Sequence, residues 1–191
     1  MPAAELVARI QARYATVRDF TADFTQTQTS GLTRQNAVDR GKVSIKKPGR
    51  MRWVSETGSR SEVVADGVQI YFYLPKDRLV QVSPMPKGSE ASTALLLLTG
   101  RGDLTRDFST GPVTDSTPGE WRVTLTPKSP QADFTTLTLA VDRASLQLRG
   151  LTVEDTQGGV QRFQFTNLRE NQGLADSAFE FKIPKGVDVR R

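Results

Sequence analysis

Two residue types that carry much enzymatic chemistry, Cys and His, are absent from this sequence. Its 191 residues contain no Cys and no His, which excludes a thiolate nucleophile, an imidazole base and a zinc site of the usual Cys/His kind. The adjacent carboxylates Glu154 and Asp155 end a predicted strand, where neighbouring side chains point to opposite faces and cannot act on one bond. Neither a Gly-x-Ser-x-Gly elbow nor a Gly-x-x-x-x-Gly-Lys-Ser/Thr phosphate loop is present. We therefore expect a protein that is not an enzyme and holds no metal or other cofactor.

Between residues 46 and 75 the sequence offers apolar and aromatic surface instead. Three successive strands are predicted, Met51–Ser55, Glu62–Ala65 and Gln69–Leu74, and Asp66-Gly67 is a hairpin signal between the last two. The large apolar side chains of this segment are Met51, Trp53, Ile70, Tyr71, Phe72 and Tyr73. So much apolar surface, in a chain without catalytic residues, predicts a protein that encloses an apolar ligand in a cavity.

Helical patterns flank and interrupt these strands. Apolar residues at i, i+3, i+4 and i+7 predict an amphipathic helix over Ala3–Val17. A second helix is predicted over Ser89–Thr99, capped by Ser89 and stopped by Gly100, and a short third one over Asp103–Phe108. Leu95–Leu98 is apolar at four consecutive positions, so it is either buried on all sides or leaves leucines exposed when the helix moves.

Further strands bring the predicted total to about eleven. No repeat and no low-complexity linker interrupts the chain, so residues 1–191 are expected to form a single domain. The pattern predicts a mainly β fold, an unclosed antiparallel β-barrel with the helices across its open side as a lid over a hydrophobic cavity. The other predicted strands are Phe20–Thr29, Val38–Lys46, Leu79–Val82, Trp121–Thr126, Thr135–Val141, Leu146–Glu154, Val160–Asn167 and Phe179–Ile183.

Composition and charge argue against two further classes of protein, membrane-spanning and nucleic-acid-binding. Hydrophobic residues make up 37% and charged residues 25% of the chain, which is ordinary for a globular protein. Leu95–Leu98 is far shorter than the roughly 18 to 20 apolar residues of a membrane-spanning helix. The net charge is +5, but the basic residues are scattered among acidic ones, and no nucleic-acid-binding signature accompanies them. We expect no nucleic-acid partner.

Six short motifs, in order along the chain, resemble the outer-membrane lipoprotein carrier (LolA) family of Gram-negative bacteria. Each motif alone is weak, but together they cover nearly the whole chain, from about Leu6 to Val189. The motifs are FTADFTQ at 20–26, KPGRMRW at 47–53, VADG at 64–67, YFYLP at 71–75, LTPK at 125–128 and FEFKIPKGV at 179–187.

The resemblance implies a periplasmic monomer that carries acylated lipoproteins. Its implied partners are an inner-membrane ATP-driven lipoprotein exporter and an outer-membrane receptor lipoprotein. The start of the sequence has neither the basic nor the apolar region of a secretion signal, so we expect that Met1 replaces a signal peptide that is removed on export.

The resemblance also divides the apolar residues into candidate cavity lining and ordinary core. Packing in the core is the competing interpretation for each of them, and the sequence leaves open which face of residues 69–74 points inward, although we favour the Ile70/Phe72 face. The predicted ligand-binding residues of the acyl cavity are Leu6, Ile10, Met51, Trp53, Ile70, Phe72, Leu95 and Leu98.

Lys47 departs from the family pattern. Better-known members carry Arg before the Pro, and that guanidinium latches the lid by hydrogen bonds. A lysine ammonium is a compact charge with three donors, whereas a guanidinium presents five in a planar fork. Lys47 is therefore predicted to be a weaker lid latch, with Arg50 and Arg52 as substitutes and a solvated surface lysine as the alternative.

Two other functions are compatible with the same scaffold. One is a carrier of a different lipid, which the Lys47 departure leaves open. The other is a lipoprotein-sensing regulatory domain, which would normally be joined to a second domain that transmits the signal.

Overall fold

The computed structural model describes residues 1–33, 35–87, 94–115, 117–130 and 133–191. Its α-helices in these ranges are α1 (Ala3–Ala15), α2 (Ala94–Leu98) and α3 (Leu104–Asp107), and short 3₁₀ turns lie at Pro75–Asp77 and Asp176–Phe179. The strands are β1 (Asp19–Thr29), β2 (Asn36–Lys46), β3 (Arg50–Ser55), β4 (Glu62–Asp66), β5 (Gln69–Leu74), β6 (Leu79–Pro84), β7 (Phe108–Thr114), β8 (Glu120–Pro127), β9 (Thr136–Asp142), β10 (Leu148–Glu154), β11 (Val160–Glu170) and β12 (Asp188–Arg190).

The strands of the described ranges form one twelve-stranded sheet. Their order is β12-β6-β5-β4-β3-β2-β1-β11-β10-β9-β8-β7. Neighbouring strands are antiparallel except for β12, which pairs with β6 in parallel. Since β7 and β12 form the two edges and do not pair with each other, the sheet is not closed. The predicted mainly β, unclosed architecture is confirmed.

Alternating apolar residues explain why the sheet has an inner and an outer face. In β1 the side chains of Phe20, Ala22 and Phe24 are buried, and residues between them are more exposed. Gly41 of β2 allows a close approach to β3, because a Cβ there would lie 1.8 Å from the backbone oxygen of Val54. Register shifts in the β1–β11, β9–β10 and β7–β8 pairs are typical of bulges, which bend strands and increase twist. The result is a sheet curved around its apolar face.

The helices pack on that inner face. Leu6, Val7 and Ile10 of α1 are buried, and so are three of the four leucines of α2. They belong to the same core cluster as the inner residues of the sheet. Within this core Trp53 contacts three phenylalanine rings, with centroid separations of 4.6 Å to Phe24, 5.1 Å to Phe163 and 6.0 Å to Phe165.

The predicted closing strand Phe179–Ile183 is wrong. Phe179 ends a 3₁₀ turn that lies against β3 and β4, and Phe181 packs on the outer side, 5.2 Å from the Tyr71 ring centroid and 5.9 Å from that of Tyr73. This segment crosses the outer face of the sheet because its aromatic side chains cover apolar residues there. Sheet pairing at this end is made by β12 instead.

The outer face therefore has a small apolar cluster of its own. Val64, Val80, Val82 and Phe179 are buried but lie outside the inner core cluster. Three basic side chains of β2 and β3 fasten the covering segment. Lys46 donates to the Leu174 carbonyl and pairs with Asp176, Arg50 pairs with Asp176, and Arg52 donates to the Glu180 carbonyl.

Other predicted elements match with shifted ends, but neither edge strand, β7 or β12, was predicted. The first helix ends at Ala15 rather than Val17, and the third spans Leu104–Asp107. The second helix is described only from Ala94, and its predicted cap, Ser89, lies outside the described residues. The edge strand β7 was not predicted, because Gly111 and Pro112 interrupt its apolar pattern.

Candidate functional site

Lys47 joins the sheet to the first helix. It follows β2, and its ammonium donates a hydrogen bond to the backbone carbonyl of Tyr14 in α1. The same ammonium lies 4.0 Å from the centroid of the Tyr14 ring, within range of a cation–π interaction. Burial lowers the pKa of Lys47 from 10.5 to about 8, and the nearby Glu170 carboxylate opposes that shift. Lys47 therefore contacts a backbone carbonyl of the first helix, and its role as a latch stays a prediction.

Tyr14 extends this connection to α2. Its hydroxyl donates to the carbonyl of Leu98 at the end of α2, and burial raises the pKa of that hydroxyl well above its usual range. A single residue therefore contacts both Lys47 and the second helix. The sequence placed Tyr14 on the apolar side of a helix but contained no signal for its polar role.

The loop after α2 completes the connection. The Gly49 amide donates to the Thr99 carbonyl over 3.0 Å. Gly100 adopts a left-handed conformation with φ +79°, and a Cβ there would lie 2.7 Å from Cδ of Lys47. Gly100 was predicted as a helix stop. The structure shows that the Lys47 side chain also packs directly against Gly100.

A groove runs beside α2 on the β3–β5 side. It consists of two adjoining cavities of about 410 Å³ and 380 Å³ that share Val63, Phe72, Leu95, Gln161 and Phe163. We call this pair of cavities the trough. Trp53 lines the first cavity, and Met51 and Ile70 line the second.

Polar side chains lie at both ends of the trough. Asp39, Ser55 and Ser59 lie around the first cavity, and Asp133 and Asp155 lie at the second. Burial raises the pKa of the Asp133 carboxyl. The middle of the trough, where the cavities meet, is the part dominated by apolar and aromatic side chains.

A separate cavity of about 380 Å³ lies on the other side of α2. We call it the α1 cavity, because five residues of that helix line it. Its lining also includes Lys47, Leu98 and Gly100, and Leu139 and Val141 from β9. No lining residue is shared with the trough in the described part of the chain.

The structure distributes the predicted cavity residues between these places. Met51, Trp53, Ile70, Phe72 and Leu95 line the trough. Ile10 and Leu98 line the α1 cavity with Lys47. Leu6 is 0% exposed within the packed core. Of the two faces of residues 69–74, Ile70 and Phe72 point to the trough, and Tyr71 and Tyr73 to Phe181 outside.

Sequence reasoning missed several lining residues. Val63 and Phe163 lie in the middle of the trough, and Leu97 lines the α1 cavity. Their apolar character and strand or helix spacing were visible in the sequence. Their positions beside an unfilled space depend on how the sheet curves.

The arrangement favours binding of apolar groups over bond chemistry. Among the described residues no group of three acidic side chains is placed to hold a metal ion. No helix in those same ranges is long and apolar enough to cross a bilayer. What the site provides is apolar surface under a short helix, with polar contacts that hold this helix to the sheet.

Comparisons with known proteins agree with this fold, and the similarity includes the amino-acid sequence. Residues 15–182 match the family described as outer membrane lipoprotein carrier protein LolA. An outer-membrane lipoprotein carrier protein from Chromohalobacter salexigens is 32% identical over 185 residues, covering 96% of this chain and 85% of the relative. One from Hahella chejuensis is 31% identical over 175 residues, covering 92% and 83%.

A solved structure of a LolA superfamily protein from Nitrosomonas europaea shares the fold, with a TM-score of 0.50 at 12% identity, over 92% of this chain and 97% of that one. The family match over most of the length, together with the identity to the curated relatives, shows that this chain belongs to the outer-membrane lipoprotein carrier (LolA) family.

Proposed function

We propose that this protein is a periplasmic carrier that shields the acyl chains of lipoproteins. The observation that carries the proposal is the trough, an apolar groove between the inner face of the sheet and α2. Relatives that match over most of their own length are named outer-membrane lipoprotein carrier proteins, which supports acylated lipoproteins as the cargo.

The trough suits a cargo that must enter and leave. Phe72 and Leu95 lie where its two cavities meet, and both are only half-buried. An acyl chain laid along them would remove their remaining apolar surface from water, and each buried methylene contributes about 0.8 kcal/mol. Met51 adds a flexible wall that adapts to chains of different shape. The trough can therefore take up a chain without unfolding of the core.

Because acyl chains bind strongly to membranes, the carrier needs partners that load and unload it. A single myristoyl chain already gives a membrane affinity of about 10⁴ M⁻¹, so a triacylated protein does not leave a bilayer unaided at a useful rate. This sequence has no phosphate-binding loop. We propose that an inner-membrane ATP-driven exporter loads the carrier. An outer-membrane receptor lipoprotein with a more favourable apolar site then unloads it.

Lys47 and Tyr14 serve in this proposal as the latch of the lid. Their contacts tie α1, α2 and the end of β2 together at one point. The Gly49 amide adds a hydrogen bond to the Thr99 carbonyl just after α2. In this proposal, release of these contacts frees α2 to move away from the trough.

Binding of a triacylated lipopeptide tests the proposal directly. With Trp121→Phe, Trp53 is the remaining tryptophan and its fluorescence reports on the trough that it lines. We expect the lipopeptide to change this emission and Leu95→Asp to weaken binding by about tenfold or more, since a carboxylate would be buried against the chain. Val68→Asp is the matched control, because Val68 is 73% exposed in the β4–β5 turn.

Native mass spectrometry of protein purified from periplasm distinguishes the alternatives. Acyl chains attached to an N-terminal Cys peptide support lipoprotein cargo, and free phospholipid or glycolipid supports a carrier of another lipid. A regulatory domain predicts lipopeptide binding without transfer to acceptor vesicles. Unchanged Trp53 emission together with equal affinity of the Leu95→Asp and Val68→Asp variants would contradict the trough as the binding site.

A further inference from the structure

The α1 cavity is separated from the trough by α2. Leu97 and Leu98 face the α1 cavity, whereas Leu95 and Leu96 face the trough. A ligand in one cavity therefore does not occupy the other. The proposed carrier function places its cargo in the trough and leaves the α1 cavity unassigned.

The wall of the α1 cavity is apolar over most of its surface. Side chains come from α1, α2 and α3, from the α1–β1 connection, and from β9, β10 and the turn between them. Its volume of about 380 Å³ lies at the small end of the range for ligand pockets, which suits one hydrocarbon chain rather than several. The apolar lining residues are Ile10, Val17, Leu97, Leu98, Leu104, Leu139, Val141, Leu146 and Leu148.

The rim of the α1 cavity is charged and its charges do not cancel. Arg13, Arg18 and Lys47 line it, with Glu170 as its one carboxylate among the described residues. Arg13 forms an ion pair with Glu170 and donates to the Ser145 carbonyl. Lys47 is bound to Tyr14. One acidic group thus faces three basic ones at the mouth of an apolar cavity.

The Arg18 guanidinium is a hydrogen-bond donor at this rim that has no partner among the described residues. Its backbone amide donates to Asn171, but within the described ranges its guanidinium makes no hydrogen bond or ion pair, and the side chain is exposed. A guanidinium has five donors in a fork that matches a carboxylate or a phosphate. An anion at this place would meet a free donor set next to an apolar space.

We propose that the α1 cavity binds a single-chain anionic amphiphile, with the hydrocarbon chain between α1 and β9 and the carboxylate or phosphate head at Arg18. The two head groups correspond to a free fatty acid and to a single-chain lysophospholipid, and their shared chemistry is a negative charge on one apolar chain. This site is distinct from the proposed cargo site and goes beyond the carrier function.

Calorimetric titration with dodecanoate, dodecyl phosphate and dodecanol tests the site. We expect the two anions to bind more tightly than the uncharged alcohol. The tighter of the two anions identifies the source, fatty acid for the carboxylate and lysophospholipid for the phosphate. Arg18→Gln should weaken anion binding by about two- to fivefold, the range of an exposed ion pair, and leave dodecanol unchanged. Arg162→Gln is the matched control, because Arg162 is exposed on β11 and lines neither cavity.

A second variant fills the mouth of the α1 cavity and leaves the charges of its rim in place. Ala15 is exposed at the end of α1 and lines this cavity, so Ala15→Trp should fill the mouth without disturbing the core. We expect it to abolish dodecanoate binding. Equal affinity for dodecanol and dodecanoate, or full binding by both Ala15→Trp and Arg18→Gln, would overturn the proposal. Dodecanoate binding that is lost in Leu95→Asp but kept in Ala15→Trp would place the amphiphile in the trough, which overturns this site and leaves the carrier function standing.

Discussion

The ammonium of Lys47 contacts Tyr14 twice, through a hydrogen bond to its carbonyl and at 4.0 Å from the centroid of its ring. The Tyr14 hydroxyl in turn donates to Leu98. One short chain of contacts therefore runs from the sheet through α1 to α2, the helix that separates the two cavities.

Tyr14→Phe should loosen α2 without affecting the bond from Lys47, because the backbone carbonyl of residue 14 remains. The Leu98 carbonyl would lose its buried donor, which costs about 1 to 3 kcal/mol. Urea unfolding measures this loss. Tyr73→Phe is the control, since the Tyr73 hydroxyl has no hydrogen-bond partner among the described residues. Equal losses of unfolding free energy in both variants would show that the Tyr14 hydroxyl does not hold α2.

The lowered pKa of Lys47 predicts that stability rises with pH. Between about 8, the pKa in the folded protein, and 10.5, its ordinary value, the folded state has released a proton that the unfolded state still holds. The free energy of unfolding therefore increases as pH rises through this window. Lys47→Arg stays charged in both states and should lack this increase.

Urea unfolding at about pH 7 and about pH 9.5 measures the difference between Lys47→Arg and the unchanged protein. Lys42→Arg serves as the control, because Lys42 is an exposed lysine paired with Asp23 and its pKa is raised by the hydrogen bond to that carboxylate. Identical pH dependence of the Lys47→Arg variant and the unchanged protein would contradict a buried, partly discharged Lys47.

Gly100→Ala should displace Lys47 from its position. Ala at φ +79° is strained by about 1 to 2 kcal/mol, and its Cβ would also meet Cδ of Lys47 at 2.7 Å. Gly158→Ala measures the backbone strain alone, because Gly158 has φ +78° with nothing within 4 Å of its Cβ position. The difference between the two variants therefore isolates the contact with Lys47. We expect the larger loss of unfolding free energy for Gly100→Ala. The excess should shrink in a Lys47→Ala background, and an excess that stays the same would assign the contact to another neighbour.

Phe181→Ala should release the segment that covers the outer face of the sheet. Each aromatic contact, with Tyr71 and with Tyr73, contributes about 0.5 to 1.5 kcal/mol beyond burial. Limited proteolysis should cut residues 174–187 faster in this variant, and lipopeptide binding in the trough should remain. Ile183→Ala is the comparison, as Ile183 is 39% exposed. Unchanged cleavage in Phe181→Ala would mean that the basic side chains alone hold the segment.

The sequence identified most strands because alternation in a half-buried sheet is a local pattern. Phe20, Ala22 and Phe24 showed their inner face directly. The error at Phe179–Ile183 has the same origin, since alternating Phe179 and Phe181 look like a strand whether they pair at an edge or lie across another face. The short strand β12, which is exposed throughout, has no apolar pattern to reveal it.

Composition and motif order by themselves determined the family, the mainly β class and the absence of imidazole and thiol chemistry, because these depend on which residues occur and in what order. The tertiary structure alone decided that the predicted cavity residues divide between two spaces, that Leu6 packs in the core, and that Tyr14 links Lys47 to α2. Those facts depend on how a curved sheet brings together residues that are far apart in the chain, and no local pattern encodes the space that such curvature leaves unfilled.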